Sequence, residues 1–201
     1  MSLKNIPILI TGGGGCIDAF VIRGLLEMGA RPVVIDLTED RSRLNLISKN
    51  NKPGELVWKQ GDITNYNDLK SIFKKYKIEG IIHLAALQVP FAKANPLLGT
   101  KVNILGTINI LEAAREFDIK RLSYASSIAS PAMFENNKWL PTLYGAHKLC
   151  GEQMAKVYWQ DWQVPSIGIR PAIIYGVGRD QGMTAAPSIA MLAAVANASY
   201  V

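Results

Sequence analysis

Apolar residues recur along this chain as short continuous runs separated by stretches with helical spacing. Ile8 to Ile10 is short enough for a buried strand, and beyond a break Ile17, Val21, Leu25 and Leu26 follow at the spacing of one helix face. The alternation then repeats. Arg31 to Leu37 predicts a second strand, residues 55–60 a third, a helix lies around Asn65 to Lys75, and Gly80 to Ala86 predicts a fourth strand. Asn95-Pro96 supplies a cap and a first-turn proline for a long helix. Ile119 to Ala125 reads as a fifth strand, Leu143 to Trp162 as a helix, Val164 to Arg170 as a sixth strand and Ala185 to Ala198 as a closing alanine-rich helix. Strands alternating with helices throughout predict an α/β fold with a doubly wound, mostly parallel sheet.

The breaks between runs carry the candidate chemistry. After the first strand, Thr11 leads into four consecutive glycines, Gly12 to Gly15, and then into a helix. A strand, a glycine turn and a helix N-terminus together suit a pyrophosphate, because free N–H groups and the positive dipole end face the anion. Asp36 ends the second strand, where a carboxylate can accept hydrogen bonds from ribose hydroxyls and repel a 2′-phosphate. That favours NAD over NADP, with Arg41 as the one residue arguing otherwise. Asp62 suits either an adenine amine or a helix cap. His83 lies inside a strand and reads as a hydrogen-bonded core histidine. Gly99, Asn103 and Gly106 share one helix face, which fits close packing and ligand approach equally.

Tyr144 and Lys148 lie one helical turn apart. An ammonium beside a phenol stabilises the phenolate, which predicts a lowered tyrosine pKa and a general base. Ser127, at the end of the fifth strand, lies at the sheet edge where ligands of open α/β folds bind.

Composition changes this picture little. A hydrophobic content of 49% over 201 residues supports one buried domain, and no apolar run reaches the roughly 20 residues of a membrane span. The net charge of +6 is scattered, so a solvated basic surface is expected rather than nucleic-acid binding. Strand pattern begins too early for a signal peptide, and Cys16 and Cys150 build neither a disulfide framework nor a metal site. A cytoplasmic protein is the expectation.

Taken together these residues resemble the extended short-chain dehydrogenase/reductases of the NAD-dependent epimerase/dehydratase type, over nearly the whole chain. Thr11 to Ile17 is similar to that family's glycine turn, Asp36 to its ribose acid, Gly61-Asp62-Ile63 to its adenine-side motif and His83 to Ala86 to the strand beside the cofactor. The stretch 103–114 is similar to its central helix, Ser126-Ser127 and Tyr144 to Lys148 to its catalytic positions, and Arg170 to Gly176 to the strand ending beside the nicotinamide. The resemblance implies a Rossmann fold. It implies cofactor contacts at Gly12, Gly15, Cys16, Ile17, Asp36, Asp62, Ile63, Leu84, Ala85, Ala86, Asn103, Tyr144, Lys148, Pro171 and Ile173, substrate contacts at Gln88, Ser127, Tyr144 and Arg179, and catalysis by Ser127, Tyr144 and Lys148. The implied reaction is oxidation or epimerisation of a sugar or nucleotide-sugar hydroxyl, with proton transfer through Tyr144. The alternative is an NAD-binding module of weak or no activity with a regulatory or interaction role.

Three departures qualify the resemblance. Asp18 stands at the third glycine position of the turn. Ile128 and Ala129 stand where dehydratases and decarboxylases of the family resemble one another in carrying acids, which disfavours both chemistries. Family members continue beyond the point where this chain ends, so residues 177–201 are expected to begin a substrate-binding region that is largely absent. Specificity is expected to depend also on the loop between Pro131 and Pro141. A homodimer through the central helix and the tyrosine-bearing helix is a further expectation, using Leu105, Ile108, Leu111 and residues 150–157.

Overall fold

A computed structural model describes residues 2–48, 55–133, 141–182 and 184–200. The sheet has six parallel strands in the order β3-β2-β1-β4-β5-β6, where β1 is Pro7–Thr11, β2 Arg31–Asp36, β3 Val57–Gln60, β4 Gly80–His83, β5 Leu122–Ala125 and β6 Ile167–Ile169. This is the doubly wound Rossmann order, with its switch point between β1 and β4. Every residue of β1 is buried. Leu9 packs into the core on one face of the sheet, while Ile8 and Ile10 pack into the core on the other. Burial on both faces explains why the strand reads as a continuous apolar run rather than an alternating one.

The connections begin with α1 (Cys16–Glu27) and the short α2 (Ser42–Ile47), which packs Leu44 and Ile47 onto the core. Next comes α3 (Tyr66–Tyr76), capped by Asn65, which accepts the Asn67 N–H at 3.1 Å. Beyond β4 come α4 (Val89–Ala94) and α5 (Pro96–Thr100), the latter capped by Asn95 through the Leu98 N–H at 3.0 Å. The long helix expected from Asn95 is interrupted. A π-helical turn over Lys101–Leu105 intervenes before α6 (Gly106–Glu116). Then follow α7 (Leu143–Trp162) and α8 (Ala186–Val195).

Both helix glycines serve packing. A Cβ on Gly99 would lie 3.1 Å from Ala92, and one on Gly106 would lie 2.5 Å from the Ile63 side chain. Of the residues expected at a dimer seam, Leu111 is instead in the monomer core with Ile108 packed against it, whereas Leu105 and Val157 are exposed. Residues 134–140, most of the loop expected to influence specificity, and Val201 lie outside the described residues. Among the described residues β6 pairs with β5 alone, and Ile167 and Ile169 are 67% and 57% exposed.

Candidate active site

The carboxyl ends of the strands deliver the site. At Gly12 the backbone has φ +89°, and a Cβ would lie 2.8 Å from Ala85 Cα and 2.9 Å from its nitrogen. Only glycine meets both demands. Gly15 then caps α1 with no side-chain hydrogen bond, and the end of the helix faces the cavity.

Thr11 holds this turn against the exit of β4. Its Oγ1 accepts the N–H groups of Leu84 and Ala85, each at 3.2 Å, and lies 2.7 Å from His83 Nδ1. His83 Nε2 lies 3.1 Å from Thr107 Oγ1, which donates to Asn103 O at 2.7 Å. That sequence of donors assigns the proton to Nε2 and leaves the ring neutral. Burial pushes the His83 pKa down to about 3, aided by the Lys148 charge. His83 is therefore the core histidine its strand position suggests.

The cavity occupies about 490 Å³, well within the range of small-molecule sites. At one end it is lined by Asp36, Asp62 and Ile63, in the middle by Gly12, Gly15, Cys16, Ile17, Leu84, Ala85 and Ala86, and at the other end by Ser127, Tyr144, Lys148, Pro171 and Ile173. Gln88 and Arg179 also line the cavity. Asp36 Oδ2 accepts the Gly14 N–H at 3.0 Å, so the acid is held at the turn. Asp62 does not cap α3; its Oδ1 accepts the Thr64 N–H at 2.8 Å and shapes the preceding turn.

Arg41 pairs with Glu39 at 2.6 Å and stacks over Trp58 at 5.5 Å. Asn103 lies one layer behind the wall rather than in it. Its Oδ1 accepts the Leu87 N–H at 2.7 Å, and its Nδ2 donates to Leu87 O at 2.9 Å and faces His147 Nδ1 at 3.2 Å. With its hydrogen-bonding groups taken by protein, Asn103 positions Leu87, which does line the cavity.

At the far end, Tyr144 and Lys148 project from α7 as the spacing requires, but their electrostatics correct one expectation. Lys148 Nζ donates to Ala125 O at 2.6 Å and sits 5.6 Å from the Tyr144 ring. Burial pushes the Lys148 pKa down to about 8. The Tyr144 pKa is raised, not lowered, because burial outweighs its hydrogen bond with Ser127 and the Arg179 charge. The groups that favour the phenolate here are therefore Ser127 and Arg179. Arg179 in turn is held by Thr184 Oγ1 at 2.6 Å and Gln88 Oε1 at 3.4 Å.

Two supporting groups left no readable pattern in the chain. Arg43 on α2 donates to Gly14 O at 2.6 Å and Gly178 O at 3.0 Å, and pairs with Asp180 at 2.6 Å. It straps the glycine turn to the 177–181 loop. Arg170 forms a two-pronged pair with Glu152 at 2.7 and 2.6 Å, and Ser126 Oγ donates to the same carboxylate. This pair ties α7 to the ends of β5 and β6, holding Ser127 beside Tyr144. Ser126, next to it in the Ser-Ser pair, is thus occupied by structure.

Residues 8–200 match the NAD dependent epimerase/dehydratase family. Among curated proteins, the chain is 33% identical over 164 residues to a UDP-glucose 4-epimerase of Lacticaseibacillus casei, covering 77% of this chain and 46% of that protein. It is 32% identical over 180 residues to a UDP-glucuronate 4-epimerase of Thermodesulfobacterium geofontis, covering 84% and 56%. The chain thus spans about half the length of these relatives. Among solved structures, it superposes on an L-threonine dehydrogenase of Clostridium difficile with a TM-score of 0.74 at 27% identity, covering 93% of this chain and 59% of that one. A Thermotoga maritima UDP-glucose 4-epimerase shares the fold, with a TM-score of 0.80 at 23% identity and coverage of 96% and 64%. No helix among the described residues is long and apolar enough to cross a membrane.

Proposed function

The chain belongs to the NAD-dependent epimerase/dehydratase family, and from that premise we propose that it binds NAD along the cavity and oxidises or epimerises a hydroxyl of a sugar or nucleotide-sugar. The observation that carries this reading is one continuous wall joining Asp36 and the glycine turn to Ser127, Tyr144 and Lys148. The glycine turn suits a dinucleotide, because Gly12, Gly15, Cys16 and Ile17 put the N-terminal end of α1 on the cavity wall. Asp36 would hold the adenosine ribose, the α1 N-terminus the phosphates, and Lys148 the second ribose. NAD, when bound, supplies the hydride acceptor.

The chain's own groups handle the proton. Tyr144 takes it from the substrate hydroxyl, and Ser127, already hydrogen-bonded to Tyr144, orients that oxygen. The raised Tyr144 pKa makes the phenol the resting form, so ionisation must be driven within the complex by nearby positive charge. Arg179 and Gln88, held to each other, place a polar grip on the substrate side. Residues 177–201 would begin the region that covers a substrate. A second copy could meet the exposed Leu105 and Val157. Free cysteines at positions 16 and 150 suit a reducing compartment such as the cytoplasm.

One observation favours a second reading, an NAD-binding module of low turnover: a buried acid, Asp18, at the phosphate turn. Incubation with NAD+ and a panel of UDP-sugars, with L-threonine as comparator, separates the two. Sugar interconversion or NADH formation that falls by about 100-fold or more in Tyr144→Phe supports the enzyme. NAD+ binding with no turnover on the panel supports the module. No NAD+ binding refutes both.

A further inference from the structure

We propose that Asp18 competes with the cofactor phosphates for the N-terminus of α1, so that dinucleotide binding takes up a proton at its carboxyl and weakens as pH rises. The proposal deepens the NAD-binding reading above and rests on it. Asp18 lies in the first turn of α1 and lines the cavity, yet is only 5% exposed. A Cβ on Gly15 would run into its Oδ2, so the carboxyl covers the turn that the phosphates would need. Its Oδ1 is buried with no hydrogen-bond partner, and the carboxyl accepts its own backbone N–H. A side chain so poorly satisfied is not explained by packing or capping alone.

The charges around it can be named. Asp36, at the end of β2, pushes against ionisation, and Arg43 from α2 favours it. Cys16, on the same turn, is a thiol whose own pKa burial raises, and Arg179 and Asp180 of the C-terminal loop act on it. Arg43 is largely taken up by Gly14 O, Gly178 O and Asp180. Burial is the largest influence on Asp18 and holds the acid neutral well above the ordinary carboxylate range. A pyrophosphate at the same helix end adds negative charge and raises that pKa further in the complex.

The sign follows from linkage. Below the pKa of the free protein, affinity is independent of pH. Between that value and the higher one of the complex, binding takes up a proton, and affinity falls by up to about tenfold per pH unit. Above the higher value it is level again. A glycine at this position would give no such dependence.

The test is NAD+ calorimetry on the full chain as wild type, Asp18→Asn and Asp18→Gly, from about pH 5 to about pH 9, with the two variants carrying any contribution of Lys148 and other shared groups. Repeating it in buffers of different ionisation enthalpy counts the protons. Wild type is expected to lose affinity more steeply than either variant as pH rises, by up to about tenfold per pH unit, with a proton uptake that both variants lack. Asp18→Gly should also bind more tightly than wild type at the upper pH, and it serves if the asparagine variant fails to fold. Binding by wild type with no pH dependence, or with the same slope in the variants, overturns the role of Asp18 alone. No binding by any of the three overturns the cofactor reading and this proposal with it.

Discussion

Lys148→Met should make the protein more stable at neutral pH while abolishing turnover. The wild-type amine is 8% exposed, and burial lowers its pKa from 10.5 to about 8. At about 1.4 kcal/mol per pH unit, the charged form is disfavoured in the fold by about 3 kcal/mol. The unfolded chain holds this proton more tightly, so the penalty is fully present below about pH 8, shrinks as pH rises and is gone above about 10.5. Methionine escapes the penalty and fills similar space, but leaves Ala125 O without its donor, a loss of about 1 kcal/mol. The variant should therefore gain about 2 kcal/mol at pH 7. Urea unfolding across the pH range reads this directly. The advantage should disappear and reverse by about 1 kcal/mol in strong alkali. A variant less stable than wild type at pH 7, or a difference that does not change with pH, refutes the reasoning. The expected gain would mean that the amine is held beside the cavity at the expense of stability.

Gly12→Ala should cost about 2–5 kcal/mol, from a left-handed backbone and the clash with Ala85, and a loss under about 1 kcal/mol in urea unfolding would contradict this. Arg43→Ala should shorten the residence time of NAD+ roughly tenfold by releasing the 177–181 loop from the glycine turn, and an unchanged dissociation rate in stopped-flow displacement would count against the strap. His83 opposes folding in acid, because its pKa falls from 6.5 unfolded to about 3 folded. Stability therefore rises with pH between those values, and wild type should lose about 2 kcal/mol between pH 6.5 and about pH 4.5. His83→Gln should lose correspondingly less, and an identical acid slope would show that another group is responsible.

Much of the architecture was legible because local and tertiary preferences agree. The α7 helix runs from Leu143 to Trp162 as expected, with Thr142 capping it through the Gly145 N–H. The glycine turn is required by the backbone at Gly12 and by the approach of Ala85. Boundaries were less legible where neighbours decide them: the sixth strand shortens to Ile167–Ile169, the stretch that pairs with β5. The π-turn at Lys101–Leu105 has no pattern of its own, and it carries the Asn103 side chain to Leu87 instead of into the cavity.

The candidate site divides the same way. Tyr144 and Lys148 could be paired by helical spacing, but the direction of the Tyr144 pKa depends on burial, which spacing does not encode. Arg43 and Glu152 act across long stretches of chain, on Gly178 and Arg170, so no local motif reports them. Asp18 was visible as a departure from the turn pattern, while its orphaned oxygen emerges only from the packing.

A crystal structure of the chain with NAD+ tests the central claim most directly. The account predicts pyrophosphate at the α1 N-terminus, ribose hydroxyls on Asp36, and the nicotinamide end with the Tyr144 oxygen and the Lys148 nitrogen within about 4 Å of its ribose or ring. A dinucleotide bound elsewhere, or one whose nicotinamide points away from Tyr144 and Lys148, would contradict it.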